Sequence, residues 1–271
     1  MRRLGVMTAL LSVLVVNSCS SKSVISQRSG SPSRAPRPSV ALTTSELASA
    51  FGTPSTVALR STADVLRRRI ALVDSDHTAT VRVVGDHLQV RAPTKVTASL
   101  GQLAAVGRLT FRRVIEAAPA TPGSVSSGGD EYSPAAYQHL SCGSTKVNPA
   151  TTDAPMREIV ACSKDGSEKF HLGVADVVGT DIGDVSVGSD QNGILIQVHF
   201  TGRGQDKYTK LTEKTLNKRL AVDFDGVVYS APTIRGVISS DVQITGFTND
   251  QAKSLAAVLR YGALPVSLIV R

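Results

Sequence analysis

From residue 56 onward the apolar positions alternate between the two periods that distinguish strands from helices. Thr56–Arg60 (TVALR) reads as a short strand. Ser61 follows as a helix cap, with Asp64 near the positive end, and Val65, Leu66, Ile70 and Val73 recur at helical spacing. Ala79–Val84 and Leu88–Ala92 alternate on either side of Gly85-Asp86, the pattern of a hairpin. A second helix with Leu100, Leu103 and Ala104 on one face is closed by Gly107, and the strand Arg108–Ile115 comes next. The order strand, helix, strand, strand, helix, strand predicts a ferredoxin-like base, a small sheet with two helices on one face.

Periodicity disappears between residues 116 and 155, which predicts a long irregular surface loop. From 156 to 248, the turn signals Asp165-Gly166, Asn192-Gly193 and Asp225-Gly226 separate apolar runs at Ile159–Cys162, Lys169–Leu172, Val185–Val187, Ile194–Phe200 and Arg219–Phe224. These predict a second sheet, interrupted by a helix Gln205–Lys218 that turns Tyr208, Leu211, Thr215 and Leu216 inward. A last helix Asn249–Arg260 aligns Ala252, Leu255, Ala256 and Leu259; Gly262 and Pro265 end it before a closing strand Val266–Val270. The expected fold class is α+β: a ferredoxin-like base (55–115, completed by 249–271) with an inserted α+β head (156–248).

The first residues follow a different logic. MRRLGVMTALLSVLVVNSC, residues 1 to 19, has two arginines, an apolar run from Leu4 to Val16 and small polar residues before a cysteine. This is an export signal, 1–18, whose apolar run is shorter than the ~20 residues that span a bilayer. Val16-Asn17-Ser18-Cys19 resembles a bacterial lipobox, in which Cys19 is acylated after cleavage, although Asn17 departs from that motif; an ordinary signal peptide cleaved near a cysteine is the alternative. Residues 20 to 39 are Ser, Arg, Lys, Pro and Gly with scarcely an apolar side chain, and a lipidated flexible tether is expected over 19–50. The folded part is then held by lipid at the outer face of the cytoplasmic membrane.

Export to an oxidising compartment leaves Cys142 and Cys162 as a disulfide pair, closing a loop of about 20 residues for about 3 kcal/mol. A zinc site from Cys142, Cys162, His139 and His171 is the alternative, but its spacings match no compact ligand pattern. His77, His87 and His199 stand alone as surface or strand residues.

Charge narrows the partners. Six of the 30 basic residues precede the first acidic residue, Glu46, so the remainder carries 24 basic against 22 acidic groups. A part so nearly neutral has little attraction for a polyphosphate, which excludes nucleic acid. With only 4% aromatic residues and no Trp, the chain offers no stacking platform, and its 41% hydrophobic content points to an aliphatic core.

The C-terminal third carries a specific resemblance. Residues 210 to 268, KLTEKTLNKRLAVDFDGVVYSAPTIRGVISSDVQITGFTNDQAKSLAAVLRYGALPVSL, run through an L-T-E-K helix, K-R-L-A, a D-G turn, Y-S-A-P, I-T-G followed by F-T, a helix ending in L-R, and G-A-L-P. In that order these resemble the first extracytoplasmic domain of the SecD protein-export subunit, with Gly246 here directly beside Phe247. Residues 65 to 114 are similar to the family's earlier base segment. The resemblance implies a non-enzymatic module that handles unfolded exported polypeptides beside Sec translocase components. The family's membrane helices, which couple that work to the proton gradient, have no counterpart in the apolar runs after residue 19, so no transport of its own is expected. A head sheet with an exposed edge would accept an extended chain by strand addition. The competing reading is an envelope scaffold or regulatory lipoprotein that uses the fold without a role in export.

The remaining motifs carry no chemistry. Gly202-Arg203-Gly204 lacks the third glycine of a dinucleotide loop and reads as a turn opening a helix. None of Ser124, Ser126, Ser127, Ser186 and Ser189 stands in a G-x-S-x-G elbow. Asp74 with Asp76 and Asp130 with Glu131 read as solvated turns or helix ends. Arg67-Arg68-Arg69 reads as a solvated helix face, with contact to anionic lipid as a second use. No cofactor, metal or small-molecule substrate is expected.

Overall fold

The computed structural model describes residues 41–120, 129–143, 155–191 and 193–271. The signal segment, Cys19, and Ser124, Ser126 and Ser127 lie outside them. In chain order the elements are β1 (Leu42–Ser49), α1 (Thr56–Val73), β2 (Thr80–Val84), β3 (His87–Pro93), α2 (Thr94–Ala98), α3 (Leu100–Leu103), β4 (Leu109–Pro119), β5 (Asp130–Glu131), α4 (Pro134–His139), β6 (Ile159–Ser163), β7 (Glu168–Val178), β8 (Ile182–Asp190), β9 (Gly193–Phe200), α5 (Gly202–Lys214), β10 (Leu220–Phe224), β11 (Val227–Ser230), β12 (Val242–Thr245), α6 (Asn249–Tyr261) and β13 (Leu268–Val270).

Three sheets result. The first runs β13-β1-β3-β2, with antiparallel neighbours throughout. The second runs β11-β10-β4-β7-β6-β5, and a parallel pairing of β11 with β6 (Val227 beside Cys162, Val228 beside Ser163) closes five of its strands into a ring. The third is β12-β9-β8. With residues 94–248 set aside, the chain reads β1, α1, β2, β3, α6, β13: strand, helix, strand, strand, helix, strand.

That order matches the expected one, but with different members. The segment TVALR is the first turn of α1 rather than a strand: the Ser55 side chain caps the helix by accepting from the Ala58 N–H, and Leu59, Thr62, Ala63, Leu66, Arg69 and Ile70 form one continuous buried face. The first strand is instead β1, which lies inside the segment expected to be tether; Leu47 and Ala48 are buried there and pair with β3 and β13. The strand expected at 108–115 does not close the base sheet. It is β4, which turns Leu109 and Phe111 into the larger core between the two remaining sheets. The expected second helix is broken at Ser99 into α2 and α3.

The loop expected over 116–155 is partly structured. β4 continues to Pro119, β5 pairs with β6, and α4, capped by Ser133, places Tyr137 in a small core with Leu140, Cys142, Val160 and Cys162. The expected helix 205–218 starts earlier and ends earlier as α5, because the Thr201 side chain accepts from the Gly204 N–H. A Cβ on Gly204 would meet the Asp181 carbonyl oxygen at 1.9 Å, so glycine there lets the helix start lie directly on the turn before β8.

Helix α6 belongs to neither half alone. Ala252, Leu255, Ala256, Val258 and Leu259 enter the core with Phe111, Ile196 and Phe224, while Ala257 enters the base core with Leu59 and Leu66. A helix buried around most of its circumference serves as a shared wall. Residues from 41 onward accordingly belong to one compact unit.

Candidate functional site

The chain enters the second sheet between α3 and β4, and two buried charges grip that crossing. Arg69, fully buried on α1, donates to the carbonyls of Leu103 (2.8 Å), Ala105 (2.6 Å), Val106 (3.0 Å) and Gly262. Asp225, in the β10–β11 turn, accepts from the N–H groups of Gly107 (2.8 Å) and Arg108 (2.8 Å). Gly107 sits between the two with φ +92°, and a Cβ there would meet both Arg69 Nη2 and Val258 Cγ1 at 2.7 Å. Burial pushes the Arg69 guanidinium down to about 10, opposed by the attraction of Asp225, so it stays charged at neutral pH. The triplet Arg67-Arg68-Arg69 is therefore not one solvated face. Arg67 and Arg68 are exposed, Arg67 pairing with Asp64 and bonding the Val81 carbonyl, while Arg69 points into the seam.

A cleft of about 450 Å³ has Gln102 and Ala105 near the crossing, Tyr229 and Phe247, and the residues of β13 along its walls. β13 is the outer strand of its sheet, and Ile269 and Val270 are exposed. The outer strand that lines the cleft is thus β13 of the first sheet; in the second, β11 and β6 pair with each other.

Lys164 is one of the residues that line the cleft. Its N–H donates to the Val228 carbonyl at 2.9 Å, which extends the β6–β11 contact, and its ammonium lies 5.1 Å from the Tyr229 ring centre and 4.9 Å from that of Phe247. Although the side chain as a whole is exposed, burial around the ammonium holds it below the usual lysine range. The Tyr229 hydroxyl is pushed up to about 12, by burial and by Asp225.

Lys164 and Tyr229 also line a second hollow of about 480 Å³. Its wall carries Arg219, which grips Glu168 through both oxygens at 2.9 Å, and Asp165. The hydrogen bond from Arg219 lowers the Glu168 carboxyl, and hydrogen bonds from Ser163 and Ser167 hold Asp165 down at about 2. The first hollow is mainly apolar and the second carries charged side chains.

The residues singled out in the sequence lie elsewhere. Cys142 and Cys162 are joined as a disulfide beneath α4. Of the two histidines in the zinc alternative, His139 ends α4 in solvent, while His171 is buried in β7, stacked on Tyr132 at 3.4 Å and bonded to Glu158 at 2.8 Å. Among the described residues no group of His, Cys, Asp and Glu stands close enough to hold a metal ion. Asp74 is buried at the end of α1, where it accepts from the Ala79 N–H; Glu131 pairs with Arg157. His199 pairs with Asp241, and Ser186 and Ser189 are exposed on β8.

The cleft residues went unassigned in the sequence, yet their signal was there. Tyr229 opens Y-S-A-P, Phe247 lies in I-T-G-F-T, and Gly262, whose carbonyl takes Arg69, opens G-A-L-P. Three motifs separated along the chain converge on one seam.

Comparison with known proteins finds relatives that share part of this chain. Residues 158–266 match the family model described as SecDF, P1 head subdomain. The protein translocase subunit SecD of Aquifex aeolicus is 43% identical over 117 residues, 42% of this chain and 23% of the relative. The SecDF subunit of Thermus thermophilus is 34% identical over 128 residues, 46% of this chain and 17% of the relative. This chain therefore spans about a quarter or less of these relatives. Among solved structures, SecDF in a super-membrane-facing form superposes with a TM-score of 0.58 at 26% identity, covering 88% of this chain and 32% of that one. A second, described as a membrane component SecDF that enhances protein export, gives 0.54 at 25% identity, covering 84% and 97%. These likenesses support a SecD- or SecDF-type periplasmic domain. Among the described residues no helix is long and apolar enough to cross a membrane.

Proposed function

We propose that this chain is a SecD-type module that acts in protein export, anchored by lipid on Cys19 at the outer face of the cytoplasmic membrane, and that it holds an extended segment of an exported polypeptide in the seam cleft. In this reading β1, α1, β2, β3, α6 and β13 are a ferredoxin-like base and residues 109–248 an inserted head. The module works by binding, alongside Sec translocase components, without catalysis or proton-coupled transport of its own.

The observation that carries the reading is β13, an outer strand that lines an apolar cleft of about 450 Å³. Strand addition recognises backbone N–H and C=O groups, which every polypeptide has, and so suits a protein that must hold many unrelated clients. The half-buried Tyr229 and Phe247 supply an apolar wall that is tolerant of side-chain identity.

Photocrosslinking in growing cells tests it, with the reactive residue placed at Gln102, Gln251 or Ile269 in the cleft and at Arg68 on the far helix face as control. Secreted precursors or translocon subunits captured from the cleft positions and not from Arg68 are the expected result. Recovery of unrelated envelope proteins alone would overturn the export role in favour of a scaffold. Acylation is checked separately: mass spectrometry of the mature N-terminus is expected to find a lipid-modified Cys19, and Cys19→Ala to release the protein from the membrane fraction.

A further inference from the structure

We infer that the exposed face of α5, together with the turn after it and the neighbouring segment 234–238, docks on a surface of anionic lipid headgroups. None of these residues lines the cleft, and the inference stands whether or not the cleft holds polypeptide.

The charges lie in line. At about 100° per residue, Arg203, Lys207, Lys210 and Lys214 fall in one narrow stripe of α5, turned away from the side that buries Tyr208, Leu211 and Thr212. Lys218 and Arg235 stand beside the end of the helix. The Asn217 N–H donates to the Ile234 carbonyl (2.8 Å), the Ile234 N–H to the Lys218 carbonyl (2.9 Å) and the Ile238 N–H to the Thr212 hydroxyl (3.0 Å), so residues 234–238 run alongside it.

These cations are uncompensated. Lys207 is neutralised by Asp181 at 2.8 Å, whereas among the described residues Arg203, Lys210, Lys214, Lys218 and Arg235 are exposed and make no ion pair. Set against Asp206 and Glu213 on the flank of the helix, they leave a surplus of three positive charges. From Glu46 onward the chain carries only 24 basic against 22 acidic groups, so the positive surplus of the folded part is gathered on this face.

The face also carries aliphatic groups. Leu216 is 44% exposed in the turn after α5, and Val237 is 51% exposed in the segment beside it. Aliphatic side chains among cations match a lipid interface, where ammonium groups meet phosphates and the aliphatic groups enter the headgroup boundary. Lysine fits this setting because its stem is apolar while its head reaches back to the phosphate layer. A highly acidic polypeptide would satisfy the cations but leave Leu216 and Val237 in water, which favours lipid as the occupant.

The test uses the full chain with an environment-sensitive fluorescent residue in place of Val237 and, in a second sample, in place of Val84, which is exposed on β2. Vesicles of phosphatidylcholine alone are compared with vesicles that also contain phosphatidylglycerol. The probe at 237 is expected to shift to the blue on the anionic vesicles only, and the probe at 84 on neither. Added salt should reverse the shift, because exposed charges are screened. Lys210→Gln with Lys214→Gln should lower the ratio of shifted to unshifted probe about 25-fold, at about 1 kcal/mol for each lysine near the surface, and Lys210→Arg with Lys214→Arg should preserve it. Both positions are exposed, and the unfolding midpoint of each variant reports that the fold is unchanged.

No shift at position 237 on anionic vesicles, an equal shift on phosphatidylcholine alone, or a shift that survives the glutamine pair would overturn the inference. A shift produced by polyglutamate and not by the anionic vesicles would overturn it too, and would give the face to an acidic polypeptide.

Discussion

The first sheet and the ring within the second treat their edges in opposite ways. The first sheet stops at a three-residue outer strand, β13, whose residues line the cleft. In the second, β11, β10, β4, β7 and β6 form a ring in which β11 and β6 pair with each other, and a disulfide lies beneath α4. Each half also buries one arginine completely, but to different ends. Arg112 stays within the head, bonding the carbonyls of Arg157 and Gly173 near Asp223. Arg69 reaches from α1 across the seam and takes the carbonyls of the segment between α3 and β4. The difference teaches where each buried arginine acts: one holds strands of a ring together, the other fixes the segment that joins two sheets.

Breaking the seam should therefore cost most. Arg69→Met leaves buried carbonyls without their donor and Asp225 without its buried cationic neighbour, and is expected to lower stability by about 3 to 5 kcal/mol in denaturant unfolding. If the cleft depends on the seam, the variant should also lose crosslinks from Ile269 under conditions where it remains folded. Opening the head's staple with Cys142→Ser is the next largest effect, about 3 kcal/mol if loop entropy accounts for it. Its signature is local: hydrogen exchange should quicken in α4 and leave the amides of β13 unchanged.

Gly107→Ala sharpens the comparison by filling the space between Arg69 and Val258 at a position with φ +92°. The expected loss is about 2 to 3 kcal/mol, and Gly202→Ala, where a Cβ meets nothing within 4 Å, serves as the control with little change. The smallest effect lies on the head's surface. The Asp165 carboxyl is at about 2 in the folded chain against an ordinary 3.8, so it stabilises the fold fully above about pH 4 and loses that contribution as the pH falls towards 2. An Asp165→Asn variant should be less stable than the parent near neutral pH, by no more than about 1 kcal/mol because the group is exposed, and the gap should close in unfolding measured near pH 2.

Local pattern made a large part of the fold legible. The hairpin of β2 and β3, the helix α6 and the turn at Asp225-Gly226 all follow from period and turn chemistry that involve only neighbouring residues. β1 was lost because LTTSELAS carries only two buried apolar residues, too few for a strand pattern to stand out from polar chain. The start of α1 was misread for the opposite reason: TVALR is apolar enough for either structure, and only the Ser55 cap and the buried face continuing from Leu59 decide it. At the site, Asp225 was legible as a turn residue but not as a buried anion, and Arg69 was indistinguishable from its two exposed neighbours.

What this sequence determined by itself is the class of structure, the place of elements such as the β2–β3 hairpin and α6, and the set of motifs that carry the SecD likeness, because each depends on spacing within a few residues. Which strands share a sheet, which arginine of three is buried and where Lys164, Tyr229 and Phe247 meet were decided by the tertiary structure. Those outcomes are set by contacts between residues far apart in the chain, among them Arg69 with Gly262, Gly107 with Asp225 and Cys162 with Val227, and no local period encodes such a pairing.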